Sequence, residues 1–131
     1  MDESELNALS EKVIGCSYSI SNKLGCGFLE KVYENALAHE IRKLGLKVEV
    51  QKPLFVMYDG VVVGEYFADL LVEDILLIEL KTTNGFSENH KAQCINYLNA
   101  TKLPLCLLVN FGRPRVEIKR IFQSQFIENI S

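Results

Sequence analysis

VVVGEYFADLLVEDILLIELK, residues 61–81, decides the fold. Strand side chains alternate between two faces, and the alternation runs through Val61–Val72, across Glu73-Asp74, and into Ile75–Lys81. The last segment, ILLIELK, is apolar enough for a central strand buried on both faces. Along it Leu76, Ile78 and Leu80 share one face, and Glu79 and Lys81 share the other. An acid and an amine thus stand side by side at the end of a buried strand, where charge is costly unless it is paired or binds metal. The plainer reading is a Glu–Lys contact at a sheet rim. Asp69 precedes Glu79 on the neighbouring strand. A strict two-residue Glu73-Asp74 turn pairs Asp69 with Ile78 and turns its carboxylate to the wrong face. A three-residue loop, or one β-bulge of the kind that re-aims side chains beside active sites, pairs it with Glu79. Such an irregularity is expected between the two acids.

Working back towards the N-terminus, Asp59-Gly60 lies between LFVMY and VVVGEYF and marks a hairpin. Its first arm, Leu46–Tyr58, is extended and interrupted by Pro53. Two helices precede it. Leu6, Leu9, Val13, Ser17, Ile20 and Leu24 recur at steps of three and four, until Gly25-Cys26-Gly27 breaks the pattern. Phe28, Val32, Ala36, Leu37, Ile41 and Leu44 form the inward stripe expected of the second helix, with Arg42 and Lys43 in its last turn and Gly45 as its stop. In the other direction, Ser87 is a candidate N-cap for a helix to about Ala100, with Glu88 in its first turn. LCLLVNF, Leu105 to Phe111, follows as a buried strand, and Arg115–Phe122 as an outer one, with an ambiguous tail from Gln123. The order α-α-β-β-β-α-β-β predicts one α/β domain over residues 1–131: a mixed sheet with helices packed on its faces.

Length and composition agree. The chain has 131 residues, 48% of them hydrophobic, enough for one core. No apolar run approaches the ~20 residues of a membrane span, and MDESELNALSEK lacks the basic start and apolar stretch of a signal peptide. A cytoplasmic protein is expected. Cys16, Cys26, Cys94 and Cys106 form no CxxC pair, so all four are expected reduced, with Cys94 and Cys106 as small core residues. Two histidines, His39 and His90, without HxxxH or HxH spacing exclude an ordinary zinc enzyme. His39 reads as surface. His90, near Gln93 on the helix, is open to a phosphate or proton-carrying role or to plain solvation. There is no GxGxxG, Walker A or GxSxG sequence. The net charge of −3 argues mildly against non-specific DNA binding. Arg113, Arg115, Lys119 and Arg120 nevertheless form a basic edge that could touch phosphate or simply guard an edge strand.

Two carboxylates with a backbone carbonyl and water make a hard-oxygen site suited to Mg²⁺ or Mn²⁺. Asp69 followed by Glu79-Leu80-Lys81 resembles the D…ExK signature of the PD-(D/E)XK nuclease superfamily. Gly27-Phe28-Leu29-Glu30-Lys31-Val32-Tyr33 resembles the GxxExxY motif of a small prokaryotic family within it, and Gln93-Cys94-Ile95-Asn96-Tyr97 the QxxxY helix motif of RecB-like nucleases. Ala68 stands where the name-giving proline would be. The resemblance implies a restriction-endonuclease-like αβββαβ core with an extra N-terminal helix. It implies Glu30, Asp69 and Glu79 as metal ligands, the Leu80 carbonyl as a fourth, Lys81 as the catalytic lysine, and Gln93 and Tyr97 lining the site. Tyr97 and Tyr33 read equally as core aromatics. A nucleic-acid substrate is implied, DNA ahead of RNA. The alternative is a non-catalytic interaction domain that keeps the nuclease fold. A domain this small would use a homodimer or another protein partner to grip a duplex.

Overall fold

The computed structural model describes residues 2–124. Three helices, α1 (Glu3–Leu24), α2 (Glu30–Lys43) and α3 (Glu88–Thr101), accompany five strands: β1 (Val48–Tyr58), β2 (Val61–Val72), β3 (Leu76–Lys81), β4 (Leu105–Asn110) and β5 (Glu117–Phe122). The element order is the one the sequence predicts. The strands form one sheet in the order β1-β2-β3-β4-β5. All neighbours are antiparallel except β3 and β4, which are parallel and joined through α3. The fold class is therefore mixed α/β. The expected tail beyond residue 124 lies outside the described residues. No described helix is long and apolar enough to cross a membrane.

Local chemistry explains the boundaries. The Asp2 carboxylate accepts from the Glu5 backbone N–H and starts α1. Ser87 caps α3 in a capping box completed by His90, whose Nδ1 accepts from the Ser87 N–H. His90 is thus a helix-capping residue. The β1–β2 turn has Asp59 and Gly60 at φ 52° and 74°, as a two-residue primed turn requires. A bulge at Val56/Met57 shifts the register further along.

The α2 stripe differs from the expected one. Tyr33, Glu34, Leu37, Ala38 and Ile41 are buried, whereas Phe28, Val32 and Leu44, and Leu24 at the end of α1, are exposed. The Tyr33 ring sets this rotation. It stacks on Phe111 with centroids 4.7 Å apart, and its hydroxyl donates to the Gly25 carbonyl at 2.7 Å. Tyr33 is a core aromatic that pins the glycine loop.

Apolar side chains pack on both faces of the sheet. Leu76, Ile78, Leu80, Leu105, Leu107 and Val109 meet α1 and α2. Leu77, Cys106 and Leu108 meet Cys94, Tyr97 and Leu98 of α3. The β1–β2 ribbon changes sides. Val48, Val50, Leu70 and Val72 pack with the α1–α2 layer, but Leu54 and Ala68 pack with α3. All six have even numbers, so simple alternation would keep them on one face. The switch falls between Val50 and Leu54 on β1 and between Leu70 and Ala68 on β2, the stretch that contains Gln51 and Asp69. Gln51 has φ 53° inside a strand, a left-handed conformation uncommon for a residue with a side chain.

Candidate active site

The site lies where β2 forks away from β3. The two strands pair only over Leu70↔Ile78, Leu71↔Leu77 and Val72↔Leu76. Three residues, Glu73, Asp74 and Ile75, close the turn, with Glu73 and Asp74 both left-handed. This is the three-residue loop that the sequence left open. One step beyond the last pair, the register sets Asp69 opposite Glu79. Here each acid takes over a backbone hydrogen bond from the interrupted ladder. Glu79 Oε1 accepts from the Asp69 N–H at 3.0 Å, and Asp69 Oδ2 accepts from the Leu80 N–H at 2.7 Å.

Glu79 is buried on the α3 side of the sheet. Burial, then the charge of Asp69, pushes its pKa up to about 9, against the pull of the Asp69 N–H and Lys81. Asp69 is also raised, chiefly by burial and further by Glu34, while the Leu80 N–H, Gln51 and Lys81 oppose the shift. Glu30 stands at the start of α2, as the resemblance implies. Partial burial of its carboxyl and then the Asp69 charge raise its pKa, and Lys81 lowers it. Electrostatically, then, the three acids and the lysine share one site.

Lys81 Nζ donates to Gln93 Oε1 at 3.1 Å, and Gln93 Nε2 donates to Tyr97 Oη at 2.9 Å. The crossover helix therefore holds the lysine through the two residues expected to line the site. Burial, then Glu79, pushes the Tyr97 phenol up to about 12, which keeps it a neutral hydrogen-bonding group. Leu80 points into the α1–α2 core, leaving only its backbone towards the acids.

Sequence reasoning missed three residues. Glu34 is buried one turn after Glu30 and pairs with Lys31. Gln51 Nε2 donates to Glu34 Oε1 and, at 3.2 Å, to Asp69 Oδ1, bridging the two acids. The third, Asn110, is fully buried behind the site. Its Oδ1 accepts from the Thr83 and Gly112 N–H groups, and its Nδ2 donates to the Thr83 carbonyl and Glu117. It holds the loop that leaves Lys81. Gly112 completes that contact, because a Cβ there would lie 2.4 Å from Thr83 backbone atoms. The only sequence signals were polar residues breaking otherwise apolar or alternating patterns. The basic edge is partly neutralised: Arg120 pairs with Glu11 and Arg113 with Glu117.

A divalent cation can be tested against these residues. Among the described residues, no three His, Cys, Asp or Glu side chains are grouped so as to hold a metal as they stand. The donor chemistry does fit one: carboxylate oxygens only, on acids that burial and mutual repulsion push towards protonation. A cation would relieve that repulsion, provided Asp69 and Glu79 turn from the N–H groups they now accept.

No curated protein matches the chain. Among solved structures it is similar to an alkaline exonuclease (LHK-Exo) from Laribacter hongkongensis, with TM-score 0.55 and 17% identity over 76% of this chain and 59% of that one. It is also similar to SSO0001, with TM-score 0.52 and 20% identity over 71% of this chain and 49% of that one. The chain thus spans between half and three fifths of the length of these proteins, and at such identities the likeness is one of fold. The family model of the PD-(D/E)XK nuclease superfamily matches residues 7–121. These residues include both strands of the fork, the lysine and the crossover helix, and the chain belongs to that superfamily, whose members generally use divalent metals.

Proposed function

We propose that this protein is a metal-dependent nuclease that hydrolyses phosphodiester bonds of DNA, or of RNA, in the cytoplasm. The observation that carries the reading is the convergence of Asp69, Glu79 and Lys81 at the fork, with Lys81 held by Gln93. Glu30, Asp69 and Glu79, with the Leu80 carbonyl, would hold Mg²⁺ or Mn²⁺. When bound, such an ion supplies charge stabilisation at the phosphoryl group and a more acidic water.

The protein's own groups do the rest. Lys81, a cation beside the acids, steadies the negative charge that develops on the phosphate or orients the attacking water. Gln93 fixes the direction of its ammonium group, and Tyr97 fixes Gln93. Gln51 holds Asp69 and Glu34 apart while donating to both. The test compares wild type with Lys81→Ala on mixed DNA and RNA substrates in Mn²⁺, Mg²⁺ or EDTA. Cleavage only by the wild type and only with metal is expected. Activity that survives both mutation and chelation overturns the mechanism.

A second reading is a non-catalytic domain, alone or as a homodimer or with a protein partner. It is favoured by the engagement of Asp69 and Glu79 with backbone N–H groups. Calorimetric titration with Mn²⁺ separates the two, since binding lost in Asp69→Asn supports the nuclease and no binding supports the interaction domain.

A further inference from the structure

A groove of about 770 Å³ runs between α3 and the distal half of the β1–β2 ribbon. It opens from the site, because Gln93 and Tyr97, which hold Lys81, are also part of its wall. Along one side α3 presents Asn89, Asn96 and Asn99. These carboxamides are exposed and make no hydrogen bond with any described residue. Opposite them stand Met57 and Tyr66 of the ribbon. The Tyr66 ring lies 5.7 Å from that of Tyr97, yet the residue is half exposed. Among the described residues, Lys102 is the one cation in the wall, and no acid lines it.

We propose that this groove binds the unpaired bases of a single-stranded nucleic acid and feeds the adjoining phosphodiester to Lys81. The proposal rests on the nuclease reading and specifies its substrate. Each carboxamide offers both a donor and an acceptor, the combination that base edges present. Tyr66 and Met57 offer flat and polarizable surfaces on which any base can stack. A double helix hides both the stacking faces and the pairing edges of its bases, and the groove is far too small to admit one. Duplex binding also draws on many phosphate contacts, for which one lysine is a poor substitute. The chemistry of the wall therefore selects bases over phosphates and single strands over duplexes.

The test uses the full chain carrying Lys81→Ala, in EDTA, so that binding is read without cleavage. Fluorescence anisotropy is measured with a labelled single-stranded DNA, the matching RNA strand, and the DNA duplex. At least tenfold tighter binding of single strands than of duplex is expected, with the DNA-to-RNA ratio reporting which sugar is preferred. Between 50 and 200 mM salt the affinity falls by less than about tenfold, because few counterions are released. Adding Tyr66→Ala, or Asn96→Ala with Asn99→Ala, weakens single-strand binding at least fivefold. Circular dichroism checks that each variant is folded.

Equal or tighter duplex binding, a steep salt dependence, no binding, or full affinity in both added variants overturns the proposal. Single-strand binding by a wild type that cuts nothing in Mn²⁺ removes the nuclease reading and leaves the groove. Cleavage by wild type with no effect of the groove substitutions does the reverse.

Discussion

Glu79 is an acid held among apolar neighbours beside a second acid, and its titration reaches the stability of the fold. Without a bound cation its pKa rises from 4.5 to about 9. Between those values the native state keeps a proton that the unfolded chain has released, so stability falls as pH rises. The contribution is complete below about pH 4.5 and gone above about 9; Asp69 and Glu30, also raised, act in the same direction. Thermal melts in EDTA should therefore show a falling midpoint from pH 5 to 9, and Glu79→Gln should flatten most of that slope. A wild-type midpoint that rises over this range contradicts the assignment. Asn110 offers a second measurement. Asn110→Ala leaves part-buried backbone groups of Thr83 and Gly112 without their partner, which costs on the order of 1 kcal/mol. Urea unfolding should show that loss, and cleavage should fall further than stability does, because the loop anchoring Lys81 is released. At this scale the sequence was legible in the placement of Asp69 beside Glu79 and of Lys81 beside Gln93, which the structure links by hydrogen bonds. Asn110 and Glu34 were not, since each looked like a chance polar residue until distant backbone and side-chain partners gave it a purpose.

The elements were more legible than the side chains within them. Alternation along β3, the Asp59-Gly60 turn and the Ser87 cap each rest on local chemistry, and all three survive in the structure. The face of α2 was misjudged because the Tyr33–Phe111 stack, a long-range contact, overrides the local apolar pattern. The crossing of the ribbon from one layer to the other was also hidden: Gln51, Lys52 and Pro53 interrupt the apolar alternation, but only long-range packing decides which layer each side of the break joins. Gln51 thus combines a backbone task with a side-chain task, and the two can be separated. Gln51→Gly keeps the left-handed backbone and relieves about 1 kcal/mol or more of strain, but removes the bridge between Glu34 and Asp69. Its melting midpoint should stay within a few degrees of wild type while cleavage drops at least tenfold. Gln51→Ala should lose both stability and cleavage. If Gln51→Gly cleaves at the wild-type rate, the bridge has no part in the reaction.

Across the whole molecule, the order of elements and the mixed sheet were predictable, and the distribution of apolar contacts was not. The net charge of −3 fits a site that holds its ligand by specific groups rather than by a positive field. The two layers flanking the sheet are unequal: twenty buried apolar side chains on the α1–α2 side against ten on the α3 side, among the described residues. Only Cys94, Tyr97 and Leu98 tie α3 down from within. Local opening is easiest where the fewest apolar contacts must be broken. Deuterium should therefore enter the amides of the second half of α3 well before those of the middle of α1, under conditions where the protein never unfolds as a whole. The lysine sits on the sheet and its amide partner on this more lightly packed helix. Each transient detachment of that helix would disarm the lysine, so occupancy of the cleft by a ligand should be visible as slower labelling along the whole of that helix.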